Sequence, residues 1–123
     1  MAKRVLVVDD EPNIVMSLRF LMEQEGLEVE VASSGQAAVA ALDRRPADLV
    51  LLDVMLPELD GFEVCRRIRA NPAWHATKIV MLTAKGRDLE RARGLALGAD
   101  AYVTKPFSTR DLVAKVKQML GSD

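Results

Sequence analysis

The sequence contains one cysteine and one histidine, and its net charge is close to zero. A lone thiol, Cys65, excludes an internal disulfide and fits the reducing cytoplasm. Seventeen basic residues almost match eighteen acidic ones, so the balance gives no reason to expect nucleic acid or an anionic membrane as a direct partner. No apolar run is long enough to span a bilayer, because Lys, Arg, Asp or Pro interrupts each one. The opening Met1-Ala2-Lys3-Arg4 leads straight into an apolar strand without the long apolar stretch of a signal peptide. Internal repeats, low-complexity tracts and linkers are also missing. The 123 residues are therefore expected to form one domain over 1–123, with no output domain after Gly121-Ser122-Asp123.

What is present is a regular alternation of strand and helix patterns. "KRVLVV", "LEVEVA", "DLVLLD", "KIVMLT" and "AYVT" read as strands, and "LEVEVA" alternates with period two, as a strand with one wetter face does. "PNIVMSLRFLMEQE" reads as a helix with Pro12 in its first turn, Ile14, Leu18, Leu21 and Met22 on one face, and Gly26 as its stop. Ser33 or Ser34 can cap "GQAAVAALDRR". Asp60 with Glu63, and Ser108 with Asp111, form capping-box patterns before the third and fifth helices. Asn71-Pro72 breaks the chain after the third helix, and "DLERARGLAL", the fourth, is weakened by Gly94. Strand–helix alternation implies a parallel sheet covered by helices on both faces.

Polar residues follow the strands in a pattern. Strand one runs into Asp9 and Asp10, strand three ends in Asp53, strand four ends in Thr83 and strand five leads to Lys105. In a parallel sheet these ends share one edge, where ligands of open α/β sheets sit. Three converging carboxylates require a counter-charge, and a hard cation of the Mg²⁺ type, with Mn²⁺ as a substitute, supplies it through oxygen ligands. Asp9 and Asp10 suit the metal, one directly and one through water. Asp53 suits nucleophilic attack on phosphorus, and Thr83 and Lys105 suit an anion, with Lys105 on the far side of Asp53 from the acids. Such a set is that of a phosphoryl-transfer site.

These segments, with "VLVVDDEP", "DLVLLDVMLPELDGFEV", "IVMLTA" and "GADAYVTKPF", resemble the receiver domain of two-component response regulators over essentially the whole chain. The resemblance implies a flavodoxin-like doubly wound (βα)5 sandwich with strand order 2-1-3-4-5. It implies a phosphorylation-activated signalling switch and not an enzyme, with only intrinsic self-phosphorylation and self-dephosphorylation. Asp53 would accept a phosphoryl group from a sensor histidine kinase or a phosphotransfer domain. Asp10, Asp53 and the backbone carbonyl of Met55 would bind Mg²⁺, with Asp9 acting through water. Lys105 would pair with the phosphoryl group, Thr83 would move toward it, and Tyr102 would turn inward as the switch aromatic. Lys105-Pro106 matches the family's cis peptide. The signal would pass through helix four, strand five and helix five to a downstream protein or a tethered output domain. Met55 and Lys85 occupy positions that set how fast water removes the phosphoryl group, and Met55 is expected to shield it. Ala101 replaces a second Asp that many dimerising members carry. Asp100, Arg91, Arg93, Arg110 and Lys115 remain as pairing residues, so the expectation is a monomer or a weak phosphorylation-dependent homodimer.

Plainer readings stand beside these. The acids at 9–11 could cap helix one, which would leave Asp53 unexplained. Cys65 belongs to the apolar stripe of helix three. His75 and Trp74 lie on a connection at the opposite end of the sheet. Arg66, Arg67 and Arg69 form a solvated face, and the methionines fill core gaps. A Mg²⁺-dependent phosphatase of the haloacid-dehalogenase type would place its nucleophile after strand one in an Asp-x-Asp pattern, and strand one carries adjacent aspartates. A flavin or nucleotide module would need a Gly, Ser or Thr loop where the three acids stand. A docking module independent of phosphorylation would not need the acidic, Thr and Lys set.

Overall fold

The computed structural model describes residues 2–84 and 88–121, so Lys85 lies outside the described residues. The elements are β1 (Arg4–Val8), α1 (Pro12–Gln24), β2 (Glu28–Ala32), α2 (Gly35–Arg44), β3 (Leu49–Asp53), α3 (Gly61–Ala70), β4 (Lys78–Ala84), α4 (Asp88–Ala96), β5 (Ala101–Lys105) and α5 (Thr109–Leu120). The five strands are parallel in the order β2-β1-β3-β4-β5, as expected. Alternate side chains of the central strands feed two cores. Leu6, Val50 and Met81 pack with residues of α2 and α3, and Val7, Leu51 and Leu82 pack with residues of α1 and α5. Burial on both faces is why β1, β3 and β4 read as continuous apolar runs. β2 is an edge strand and stays partly exposed, which its alternation reflects.

The helix ends follow from their caps. The Ser34 side chain accepts from Ala37 N–H, Asp60 from Glu63 N–H and Ser108 from Asp111 N–H. The Glu63 carboxylate turns away from a reciprocal capping bond and pairs with Arg66 and Arg67. Asn71 caps a short 3₁₀ turn, Pro72–Trp74, which the break signal concealed and which buries Trp74 in the core. Gly94 is buried because α4 lies close to the sheet, and a Cβ there would sit 3.2 Å from Met81 Cγ.

Two expectations need correction. Arg69 is not part of a solvated face. Its Nε donates to the Gly98 carbonyl at 2.8 Å and its Nη2 reaches Asp100 Oδ2 at 2.6 Å, and the same oxygen accepts from Ile79 N–H at 2.8 Å. Asp100 is thus tied into the fold, joining α3 to the start of β4. Arg91 pairs with Asp88 and lies over the Tyr102 ring, and Arg93 lies over Phe62. The methionines also divide. Met22 and Met81 are core residues, whereas Met16 and Met55 are 70% and 71% exposed. Met16 lies on the side of α1 away from the sheet, and Met55 follows the end of β3.

The Arg69 tie demands Gly98, whose φ is +110° and whose added Cβ would meet Arg69 Cγ at 2.6 Å. Gly98→Ala is expected to cost about 1–3 kcal/mol of stability, read from the denaturant midpoint at unchanged slope.

Candidate functional site

Strand register builds the site. Val8 pairs with Leu52, so Asp9 and Asp53 are the next positions on adjacent strands. Asp53 pairs with Leu82, immediately before Thr83, and Ala84 pairs with Lys105. The four side chains therefore rise from the carboxyl edge around the point where the chain order reverses, between β1 and β3. Asp10 joins them from the first loop. Carboxylate oxygens of Asp9, Asp10 and Asp53 lie within 4.8 Å of one another, with Asp9 and Asp53 buried and Asp10 exposed.

Several groups offset this concentration of negative charge. Lys105 Nζ lies 2.9 Å from Asp9 Oδ2 and 3.4 Å from Asp53 Oδ1. The far-side position expected for Lys105 is thus corrected, since its long stem carries the ammonium across to the buried acids. Two buried carboxylates without a cation would be costly, and this reach relieves the cost. Asp9 Oδ1 accepts from Glu11 N–H at 3.0 Å, and Asp53 Oδ1 accepts from Met55 N–H at 3.3 Å. The capping reading of the acidic run gains little. Glu11 is the N-cap of α1 without a side-chain capping bond, and no acid occupies the first turn.

Burial, then the negative charge of Asp9, hold the Asp53 carboxyl above its ordinary pKa, against the opposing pull of Lys105 and the Met55 N–H. Burial works against the charge on Lys105, but its hydrogen bond to Asp9 and the charges of Asp53 and Asp9 outweigh that and hold its pKa above the usual value. The raised Asp53 pKa means that the native protein holds this proton more tightly than the unfolded chain does. Its stabilising contribution is complete below the unfolded carboxyl pKa and is lost as pH rises through the higher folded value. In chelator-treated protein Asp53→Asn is therefore expected to raise Tm by a few degrees at neutral pH, judged against the parent at each pH. The gain should vanish at acidic pH.

Thr83 is 1% exposed, and its Oγ1 has no hydrogen-bond partner among the described residues. A buried hydroxyl without a partner is uncommon and destabilising, and this one stands at the acidic edge. Tyr102, on β5, is partly exposed with Arg91 5.2 Å from its ring centroid. The Lys105–Pro106 peptide is cis.

Two glycines that sequence reading overlooked hold the loop beside Asp53. Gly61 N–H donates to the Val54 carbonyl at 3.0 Å, and a Cβ on Gly61 would lie 2.2 Å from the Asp53 carbonyl oxygen. A Cβ on Gly35 would lie 2.0 Å from the Leu59 carbonyl oxygen. "DG" and "SG" in the sequence signal turns and caps, but not the close backbone approaches that make these glycines necessary.

A doubly wound parallel sheet with an acidic crevice, a lysine and a buried threonine hydroxyl at its switch point places the protein in the flavodoxin-like α/β class. Residues 5–117 match the family described as "Response regulator receiver domain", and the chain belongs to that family. It is 48% identical over 120 residues to the phosphate regulon transcriptional regulatory protein PhoB of Rhizobium meliloti (strain 1021), covering 98% of this chain and 53% of that protein. The chain thus spans about half the length of this curated relative. A CheY-like response regulator receiver domain protein from Methanospirillum hungatei JF-1 superposes with a TM-score of 0.91 at 33% identity, covering 98% of this chain and 95% of that one. The BeF3-activated DrrB receiver domain gives a TM-score of 0.89 at 35% identity, covering 98% and 99%. No helix among the described residues is long and apolar enough to cross a membrane.

Proposed function

We propose that the protein is a phosphorylation-driven switch of a two-component system, in which Asp53 takes a phosphoryl group from the phosphohistidine of a sensor kinase or phosphotransfer domain. The observation that carries this reading is the convergence of three carboxylates within 4.8 Å beside a buried threonine hydroxyl that has no partner among the described residues. The donor set suits a hard divalent cation, because it consists of oxygens and includes the exposed Asp10 next to the buried Asp53. Asp10, Asp53 and the Met55 carbonyl would hold Mg²⁺ or Mn²⁺, with Asp9 acting through water. When bound, the metal supplies positive charge toward phosphoryl oxygens.

The residues then have distinct tasks. An Asp53 oxygen attacks phosphorus, the P–N bond breaks, and the imidazole leaves with the electron pair. Lys105 exchanges part of its contact with Asp9 for the new phosphoryl group. Thr83 Oγ1 donates to a phosphoryl oxygen. Tyr102 turns inward behind it, and the surface of α4, β5 and α5 shifts its population toward the form read by a target or a tethered output domain. Hydrolysis of the acyl phosphate by water resets the switch, with Met55 and Lys85 setting its rate. The protein catalyses only its own modification and acts in the cytoplasm.

The test is incubation with acetyl phosphate and Mg²⁺ followed by intact-mass measurement. The parent is expected to gain one phosphoryl group, and Asp53→Ala none. No gain in the parent, or an equal gain in both, refutes the reading.

A further inference from the structure

α5 turns Leu112 and Val116 into the core and leaves Arg110, Val113, Ala114 and Lys117 on its side toward α1. These four stand at i, i+3, i+4 and i+7, so they form one stripe along the helix. With Thr109, and with Leu21 of α1, they line a groove of about 390 Å³ between the two helices. Leu21 and Val113 are half-buried against the core, and Ala114 is exposed. Apolar walls with a small residue between them let another helix approach closely. The groove shares no residue with the acidic site.

Both ends of the stripe are cationic. Arg110 is exposed and has no acidic partner among the described residues. Lys117 Nζ meets Glu25 Oε1 at 2.8 Å, with its side chain half exposed. Seven residues at 1.5 Å each set the two positions about 10.5 Å apart along the axis. These charges decide what can lie in the groove. Antiparallel α5 helices of two copies, paired about the centre of the stripe, would set Arg110 against Lys117, and parallel ones would set Arg110 against Arg110. A flat bilayer does not enter a groove between helices, and two cations are few for an anionic surface or a nucleic acid. A helix with acidic ends to its apolar face matches both the shape and the charge.

We propose that the α1–α5 groove is a docking site for an amphipathic helix of a partner protein, one with two acidic residues seven positions apart flanking a pair of apolar ones. The apolar pair lies against Leu21, Val113 and Ala114. One carboxylate pairs with Arg110, and the other joins Lys117 as Glu25 yields part of its contact.

The test uses an Ala- and Gln-rich helical peptide of more than about fifteen residues carrying Glu-x-x-Leu-Leu-x-x-Glu, and its twin with Lys at both Glu positions. The methyl resonances of Leu21 and Val113 in the whole chain report binding. The Glu peptide is expected to shift both and to saturate at a concentration at least about tenfold below that of its Lys twin, with weaker binding at high salt. Arg110→Glu should reverse the order of the two peptides. It places an acid in the first turn of α5, where the helix dipole favours one, so the fold should hold. Ala114→Leu fills the groove and should abolish the shifts with either peptide. Equal binding of the two peptides, or no shift of Leu21 and Val113 with either, overturns the proposal. A dimer of the parent that Ala114→Leu dissociates, or flotation with phosphatidylglycerol vesicles that Arg110→Glu abolishes, assigns the groove to a second copy or to a membrane and overturns it as well.

Discussion

Lys105→Met is expected to separate the metal-free protein from the metal-loaded one. Lys105 is the cation that meets both buried carboxylates, at 2.9 Å from Asp9 and 3.4 Å from Asp53. Among the described residues, removing it leaves Asp9 and Asp53 facing each other with only backbone N–H groups as compensation. Losing one partner of a buried pair costs about 3–5 kcal/mol, and the partly solvated ammonium reduces this to about 2–3 kcal/mol here. Chelator-treated Lys105→Met should therefore melt on the order of 5–10 °C below the parent. Millimolar Mg²⁺ offers the same carboxylates another cation, so the Mg²⁺-induced rise in Tm should be larger in the variant than in the parent. Phosphorylation by acetyl phosphate should nevertheless slow by on the order of 10²–10³, since the phosphoryl group loses its fixed cation. Equal Mg²⁺ shifts in the two proteins would show that Lys105 and the metal do not serve the same carboxylates.

The second large effect comes from a position with no side chain. An alanine Cβ at Gly61 would lie 2.2 Å from the Asp53 carbonyl oxygen and 2.9 Å from Val54 Cα. Both neighbours are backbone, so neither can swing aside as a flexible side chain would. The start of α3 must move away, or the end of β3 must shift, and either breaks the Gly61 N–H to Val54 carbonyl bond. Gly61→Ala should cost roughly 3 kcal/mol or more. It should also weaken Mg²⁺ uptake, because the loop that carries the Met55 carbonyl is displaced. Calorimetric titration of the folded variant at low temperature separates the two effects. Full Mg²⁺ affinity in a destabilised Gly61→Ala would mean that the loop only supports the fold.

Much of this was legible in the sequence, for identifiable reasons. Strands buried on both faces must be apolar throughout, so β1, β3 and β4 declared themselves, and the first polar residue after each strand marked the edge of the sheet. Asp9, Asp53 and Thr83 were found by that rule alone. The reach of Lys105 to Asp9 was not, because nothing local sets how far a lysine stem crosses a sheet edge. Arg69 looked like its exposed neighbours Arg66 and Arg67, and only the fold brings Gly98 and Asp100 to it from about thirty residues away. Gly35 and Gly61 went unread, because the carbonyls they must accommodate, those of Leu59 and Asp53, depend on how the β3–α3 loop folds back.

The central physical claim is that one carboxylate, held above its ordinary pKa by burial and a neighbouring acid, becomes the acceptor of phosphorus once cations surround it. The most direct measurement is borohydride reduction of the acetyl phosphate-treated protein, which converts an aspartyl phosphate to homoserine, followed by peptide mapping. Homoserine at position 53 and at no other aspartate is the expected result. Homoserine at Asp9 or Asp10, or its absence from every peptide of a protein that has gained phosphoryl mass, would contradict it.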